Sequence, residues 1–538
     1  MVKNTVNTAV FNVVKSSNKK YLLFIVIFGL FALFFVLGQR SLENKDSVRF
    51  AEISREILEF DDWILLRLAG GIYPDKPPLH FWATAGLYKI FGISPFTARI
   101  PEALAGFCGI LMAYFFGRKI FGNTHTAFLS AIILLSSYGY FFWARRTRID
   151  IQMAVLFGMS LVFFYYGLEA AARKRKILWY ATFWLASGLA IMSKGPVALT
   201  NLAVIIPYCI LIFFKGEGRK IAPGLLALTS PVLLLPILPW VMQLVNHPRF
   251  SDYLQVYNQT VIMHRGKPFF TYFYDFPVKL FPASPFFFLG VWGFFRFRQQ
   301  LKDNSGLIFA LLWVGVFVFI LHFTSGKTAR YLLPVYLPSS LVAAWAIMFF
   351  IDKYPETFGK IMDWGDRIFL GIAVLSLLIP FFFAYYEGVS LLAPVPYVIS
   401  LGLVIIFVRK WLPLKAAGLF CSFIILLLSI ETGDGIINDR TSDYLRLSGA
   451  LKIQELLPEE IKFYQCSLDS RARAAVSYYY NKVIDCSDSF KELVEDPMTK
   501  GIVTTRQALE KEIQLAQIEK GYRVIPSDRR FFIIIKAD

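Results

Sequence analysis

Residues 21–38, YLLFIVIFGLFALFFVLG, carry no charge and no proline, and they follow Lys15, Lys19 and Lys20. Crossing the hydrocarbon core of a bilayer takes roughly 17–25 apolar residues in a helix. In lipid the backbone N–H and C=O groups find no water, so a run of this kind has to be helical. It lacks a small-residue cleavage site and reads as an uncleaved signal anchor. Further apolar runs recur at about 101–117, 126–143, 151–170, 177–193, 197–214, 223–245, 280–295, 306–324, 331–351, 368–386, 394–408 and 416–431. With 56% hydrophobic residues and 54 Phe, the chain is excluded from the ordinary soluble classes. The expected fold class is mainly α: a polytopic membrane protein of about thirteen transmembrane helices over residues 1–438.

The formal net charge of +18 reports basic loops on one membrane face rather than a nucleic-acid partner. If the N-terminus is cytoplasmic, every second loop is too. Those loops hold Arg118 and Lys119, ARKRK (172–176), KGEGRK (215–220), RFRQQLK (296–302), Lys353 to Arg367, and RKWLPLK (409–415). The alternation stays in phase and places the C-terminus outside. The outer loops are 39–100, ARRTRID (144–150), SKGP (193–196), about 246–279 with HRGKP (264–268), and GKTARY (326–331). Beyond the first, they too favour Lys and Arg over Asp, against the orientation rule, which calls for something anionic outside.

After about 438 the composition changes. Strand-like runs (IKFYQC, KVIDC, KGIVTT, RFFIIIKA) alternate with helical stretches (SRARAAVSYYY, RQALEKEIQLAQIEKG), which predicts a small extracytoplasmic α/β domain over 439–538. Cys466 and Cys486 end two successive strand candidates and either pair or stay as separate buried thiols.

Chemistry-bearing residues fall in the outer loops. Residues 46–60 predict an amphipathic helix on the outer leaflet, with Phe50, Ile53, Ile57 and Phe60 as its apolar stripe and Asp46 at its start. In YPDKPPLHFW (73–82) Lys76 stands between Asp75 and two prolines, on a rigid loop that suits fixing a charge against a ligand. Asp150 closes a basic run next to Arg148 at the entry to an apolar helix, and a carboxylate so close to the membrane is a functional candidate by its cost. Lys194, before the helix-breaking Gly195 and Pro196, and Arg330 with Tyr331 follow the same logic. Basic groups at several broken outer helix ends converge on a phosphate.

DSVRFAEISREI, DDW, YPDKPPLHFW and FTARIP occur here in that order, followed by RID, SKGP, HRGKPFF and ARYLLP. This chain resembles the membrane glycosyltransferases of the ArnT and protein O-mannosyltransferase superfamily, the GT-C fold, and most of all the aminoarabinose transferase branch. The resemblance implies a donor sugar, 4-amino-4-deoxy-arabinose or a hexose, on a polyprenyl phosphate. It implies an envelope acceptor: lipid A, another glycan or a protein. Asp46 and Asp150 match the family's acidic positions near the transfer site. Lys76 and Tyr331 match positions that hold the donor phosphate, and Asp75 and His264 match an acid and a His that hold a divalent metal (Zn, Mg or Mn). The family's acid after Asp46 is Ser47 here, its Glu is Asp75, and its Arg ahead of HRGKP is missing from VYNQTV, leaving Arg265 or Lys267 to substitute. No GxGxxG fingerprint is present, and no nucleotide cofactor is expected. The implied place is the bacterial inner membrane with the site facing outward. A transporter or flippase of an anionic lipid is the rival reading; no internal repeat supports it. A non-catalytic assembly protein is a third.

Overall fold

The computed structural model describes residues 19–42, 45–260, 268–301, 304–324, 326–386 and 388–441, together with 461–464, 477–478, 483–484, 486–487, 493, 499–505, 522–526 and 531–536 of the tail. The apolar runs lie on helices. After α1 (19–34) come α2 (Lys45–Glu59), a short hairpin of β1 (Arg67–Leu68) and β2 (Gly71–Ile72), and α3 (Leu79–Phe91). Then follow α4 (Ile100–Phe121), α5 (Thr124–Ser136), α6 (Tyr138–Ala144), α7 (Ile149–Glu169) and α8 (Arg173–Lys194). The next group is α9 (Asn201–Ile212), α10 (Pro223–Leu228), α11 (Leu238–Val245), α12 (Phe250–Thr260), α13 (Thr271–Leu280), α14 (Ser284–Arg296) and the short α15 (Arg298–Leu301). The last are α16 (Ser305–His322), α17 (Leu333–Lys353), α18 (Pro355–Ser376), α19 (Ile379–Tyr386), α20 (Val395–Trp411) and α21 (Gly418–Thr441). Local signals set several ends: Asn123 caps α5 by accepting the His125 and Thr126 N–H groups, and Gly122 ends α4 at φ +64°.

By length and apolarity, the described residues hold seven spans, or up to ten if each bent pair counts as one. The expectation of thirteen is not reached by that measure, for physical reasons. The runs at 126–143, 223–245 and 280–295 are bent elements: α5 and α6 meet at 67°, the helical segments of 223–245 at 41°, and α13 and α14 at 109°. Of the others, α8 begins with four consecutive basic residues, and α1 and α20 are short. The stretch 355–367, expected as loop, is the first half of α18.

A second correction concerns α2. Its stripe was expected to rest on lipid; instead Phe50, Ile53 and Ile57 are buried with Phe81 and Ala85 of α3. Its charged face is buried as well. Arg55 bonds Glu52 at 2.8 Å and pairs with Glu59 at 2.6 Å, while the Glu56 carboxylate accepts the N–H groups of Ala69 and Gly70 in the hairpin turn. These charges are fastened within the protein. The tail contains a mixed five-stranded sheet, order β4-β3-β5-β7-β6, of β3 (Ile461–Tyr464), β4 (Cys486–Ser487), β5 (Gly501–Thr505), β6 (Tyr522–Pro526) and β7 (Phe531–Lys536). The strand β6 had no counterpart in the sequence reading, and the two predicted tail helices fall almost wholly outside the described residues. Val483 N–H donates to Glu59 at 3.1 Å, so the tail touches the C-terminal end of α2.

Candidate active site

Asp46 and Asp150 each sit in the first turn of a helix, α2 and α7, where the peptide dipoles favour an anion. Lys194 is in the last turn of α8, where a cation is favoured, and Gly195, at φ +93°, turns the chain away. Ser193 donates to the Ile149 carbonyl at 3.3 Å, tying this end of α8 to the start of α7. Arg330 and Tyr331 lie on the 3-10 turn Ala329–Leu332 before α17. Four helix ends from distant parts of the sequence therefore meet.

The side chains form one continuous network. Arg148 Nη1 lies 2.6 Å from Asp46 Oδ2, and its guanidinium lies 5.0 Å from the Trp143 ring. Arg330 bridges the two carboxylates, with Nη1 3.3 Å from Asp46 and Nε 3.5 Å from Asp150. Lys194 pairs with Asp150, and its ammonium stands 4.2 Å over the Tyr331 ring. Burial pushes the Asp46 carboxyl up, but Arg148, Arg49 and Arg330 together outweigh it and hold the group below the usual carboxylate range. Burial also lowers Arg148, with Asp46 offsetting only part.

Of the residues expected from the sequence, Asp46, Asp150, Arg148, Lys194, Arg330 and Tyr331 are thus brought together. Lys76 and Asp75 stand at the edge. Lys76 Nζ is 3.0 Å from Asp75 Oδ1, and Asp75 Oδ2 accepts from Tyr73 at 3.2 Å. Arg49 links them to the centre: it lies 5.6 Å from the Tyr73 ring and 3.1 Å from Asp46. His264, Arg265 and Lys267 lie outside the described residues, and so does Cys466; Cys486 is disulfide-bonded. Among the described residues no group of three or more His, Cys, Asp or Glu gathers for a metal, and both Asp75 oxygens already face donors.

Sequence reasoning missed four residues. Arg49 stands three residues after Asp46 on a helix, which puts the two within reach. Tyr73 connects loop and helix. His80 and Glu102 lie 2.9 Å apart, both fully buried, on α3 and α4. Three arginines from the loops expected outside bind protein groups instead. Arg145 donates to the carbonyls of Ala32, Leu33 and Phe35, Arg99 to those of Leu37, Arg40 and Ser41, and Arg146 pairs with Glu431. Part of the outer basic excess therefore closes the exit of α1.

Aligned by structure, the chain superposes on ArnT from Cupriavidus metallidurans, solved bound to undecaprenyl phosphate, with a TM-score of 0.73 at 20% identity, covering 96% of this chain and 97% of that one. The fold is ArnT-like. The Archaeoglobus fulgidus oligosaccharyltransferase aligns more loosely, at a TM-score of 0.50 and 11% identity, over 95% of this chain and 73% of that one. Residues 75–242 match the family model described as dolichyl-phosphate-mannose-protein mannosyltransferase. The matched part of the ArnT-like fold runs from Asp75 through the bent segment of α11. In sequence, the chain is 28% identical to undecaprenyl phosphate-alpha-4-amino-4-deoxy-L-arabinose arabinosyl transferase 2 of Proteus mirabilis over 364 residues, 65% of this chain and 64% of that protein. It is 26% identical to the corresponding transferase of Aeromonas hydrophila, over 65% of each. The alignments thus span just under two thirds of the length of these relatives. The resemblance drawn from the outer-loop motifs holds at the level of fold and relatives.

Proposed function

We propose that this chain transfers a sugar, of the 4-amino-4-deoxy-arabinose class named for its relatives, from a polyprenyl phosphate to a phosphate of lipid A at the outer face of the inner membrane. The observation that carries the reading is the charge balance at the site: Arg49, Arg148, Arg330 and Lys194 surround two carboxylates, while Lys76 and Asp75 cancel. Among the described residues two positive charges are left over for a ligand. The donor is a phosphodiester with one negative charge; when its bond to the sugar breaks, the departing polyprenyl phosphate becomes a monoester of about −1.5 to −2 at neutral pH. A preorganised excess of two cations stabilises the product side of that step more than the ground state, which lowers the barrier.

The same geometry bears on the acceptor. A general base works best with a pKa near the operating pH. Asp46 is held below the usual range by three arginines, so it is a poor proton acceptor and acts by fixing those cations. An acceptor that needs no deprotonation, an ionised phosphate, fits this site better than a protein hydroxyl. No step is assigned to a metal; Asp75 would be its described ligand, at the expense of its contact with Lys76.

The test is transfer of labelled sugar from a polyprenyl phosphate donor by the purified protein in nanodiscs, with lipid A, enzymatically dephosphorylated lipid A and a Ser/Thr-rich peptide as acceptors. Label in intact lipid A alone is the expected result. Label in the peptide would replace this reading with protein O-glycosylation, and no transfer to any acceptor would reject it.

A further inference from the structure

Lys327 has no place in the network described above. It lies in the turn between α16 and the 3-10 segment that carries Arg330, and it is 6% exposed. Among the described residues no carboxylate lies within ion-pairing distance, and its acceptor is the Thr324 carbonyl at 2.7 Å. A buried ammonium without a counter-ion is costly, and one carbonyl satisfies only one of its three N–H donors.

The surrounding turn repeats the pattern of polar groups left open. The His322 ring directs Nδ1 to the Val318 carbonyl at 2.8 Å, leaving a buried Nε2 with no partner among the described residues. The buried Thr328 hydroxyl has none either. Tyr272 joins them: its ring meets His322 edge-on at 5.7 Å, and its hydroxyl accepts the Thr328 N–H at 3.3 Å.

We infer that Lys327, with Thr328 and His322 beside it, is a second anion subsite that receives a phosphate group of a lipid substrate. The inference rests on the proposed transfer reaction, which brings two phosphates together, one leaving with the polyprenol and one on the acceptor. The cations around Asp46 and Asp150 balance only one such group. Lys327 is three residues before Arg330 and four before Tyr331, so its turn adjoins the same cluster. A lone structural role is the competing account, since a cation after the last turn of α16 complements the helix dipole.

The experiment compares wild type, Lys327→Met and Lys327→Arg in nanodiscs. One arm measures the Kd for undecaprenyl phosphate by direct binding. The other measures, by the same direct binding, the Kd for lipid A and for dephosphorylated lipid A. The expected result is a loss of roughly tenfold or more in one arm for Lys327→Met, substantially restored by Lys327→Arg, as for a charge-assisted contact. Loss in the first arm assigns the donor phosphate, and loss in the second, absent for the dephosphorylated acceptor, assigns the acceptor phosphate. Unchanged values in both arms, or losses that Lys327→Arg does not restore, overturn the subsite. Because neither arm needs turnover, both report on Lys327 even if the proposed transfer fails.

Discussion

Arg330 is the residue on which the site hinges, because it alone of the described cations contacts both carboxylates. Arg330→Ala should lower turnover at saturating donor by roughly a hundredfold or more, the scale expected for one preorganised contact to developing charge. Arg330→Lys should recover little, since an ammonium cannot span both partners. Lys76→Ala should cost less than Arg330→Ala, because Asp75 already neutralises Lys76 at the edge of the network. Equal losses for the two would move Lys76 back into the centre. A different residue-scale prediction follows from Glu52 and Glu56. Burial raises both, and burial together with the nearby Glu52 charge brings Glu56 to about 8, so Glu56 keeps a proton at neutral pH. A folded-state pKa above the unfolded value of 4.5 means the folded chain binds more protons between the two. Stability should therefore fall as pH rises from about 4.5 to about 8 and level off above. Thermal unfolding across that range should show the slope, and Glu56→Gln should flatten it; an unchanged slope would assign it to other groups.

At the scale of elements, the site depends on helix ends. Gly195 adopts φ +93° and ψ −168°, a region open essentially to glycine, and a Cβ there would meet no neighbouring atom. Gly195→Ala should thus cost about 1–3 kcal/mol through backbone strain alone. Because relief of that strain moves the last turn of α8, Lys194 should shift from Asp150 and Tyr331, and turnover should fall more than stability does. A drop in thermal midpoint with full activity would show that the Lys194 position tolerates the shift. The sequence made these ends visible: Gly195 and Pro196 mark the break after Lys194, and the basic run before Asp150 marks the start of α7. It did not reveal the 67° and 109° bends, because an apolar run looks the same whether its helix is straight or broken. It also misread α2. A stripe of Phe and Ile with charges opposite describes a leaflet helix and a protein-covered helix equally well, and only the tertiary partners Glu59 to Val483 and Glu56 to the hairpin turn separate them. The pairing of His80 with Glu102 joins two elements across twenty-two residues and had no motif to announce it.

For the molecule as a whole, charge falls on two opposite faces. On one, the α7 and α8 ends carrying Asp150 and Lys194 meet Asp46 and Arg330, and the α2 helix that begins at Asp46 ends at the tail contact of Glu59. At the other end of the same helices, Lys176 reaches the carbonyls of Leu168 and Lys220, and Lys220 lies 3.6 Å from Glu169. The antiparallel pairing of α7 and α8 therefore separates the cation cluster from the basic run at 172–176 by the full length of two apolar helices. If the second face is cytoplasmic, as its basic loops require, then the site and the tail sheet lie together outside, whichever of seven to ten or thirteen crossings applies to the rest. A reporter active only outside the cytoplasm, fused after residue 438, should be active, and the same reporter inserted within 173–176 should be silent. An outside tail also explains a disulfide at Cys486, since such bonds persist in oxidising compartments. Non-reducing peptide mapping of protein from the membrane should then recover Cys486 linked to Cys466. Reporter activity at 173–176 with silence after 438 would invert the molecule, put the cation cluster on the cytoplasmic side, and remove the outer-leaflet donor from the proposed reaction.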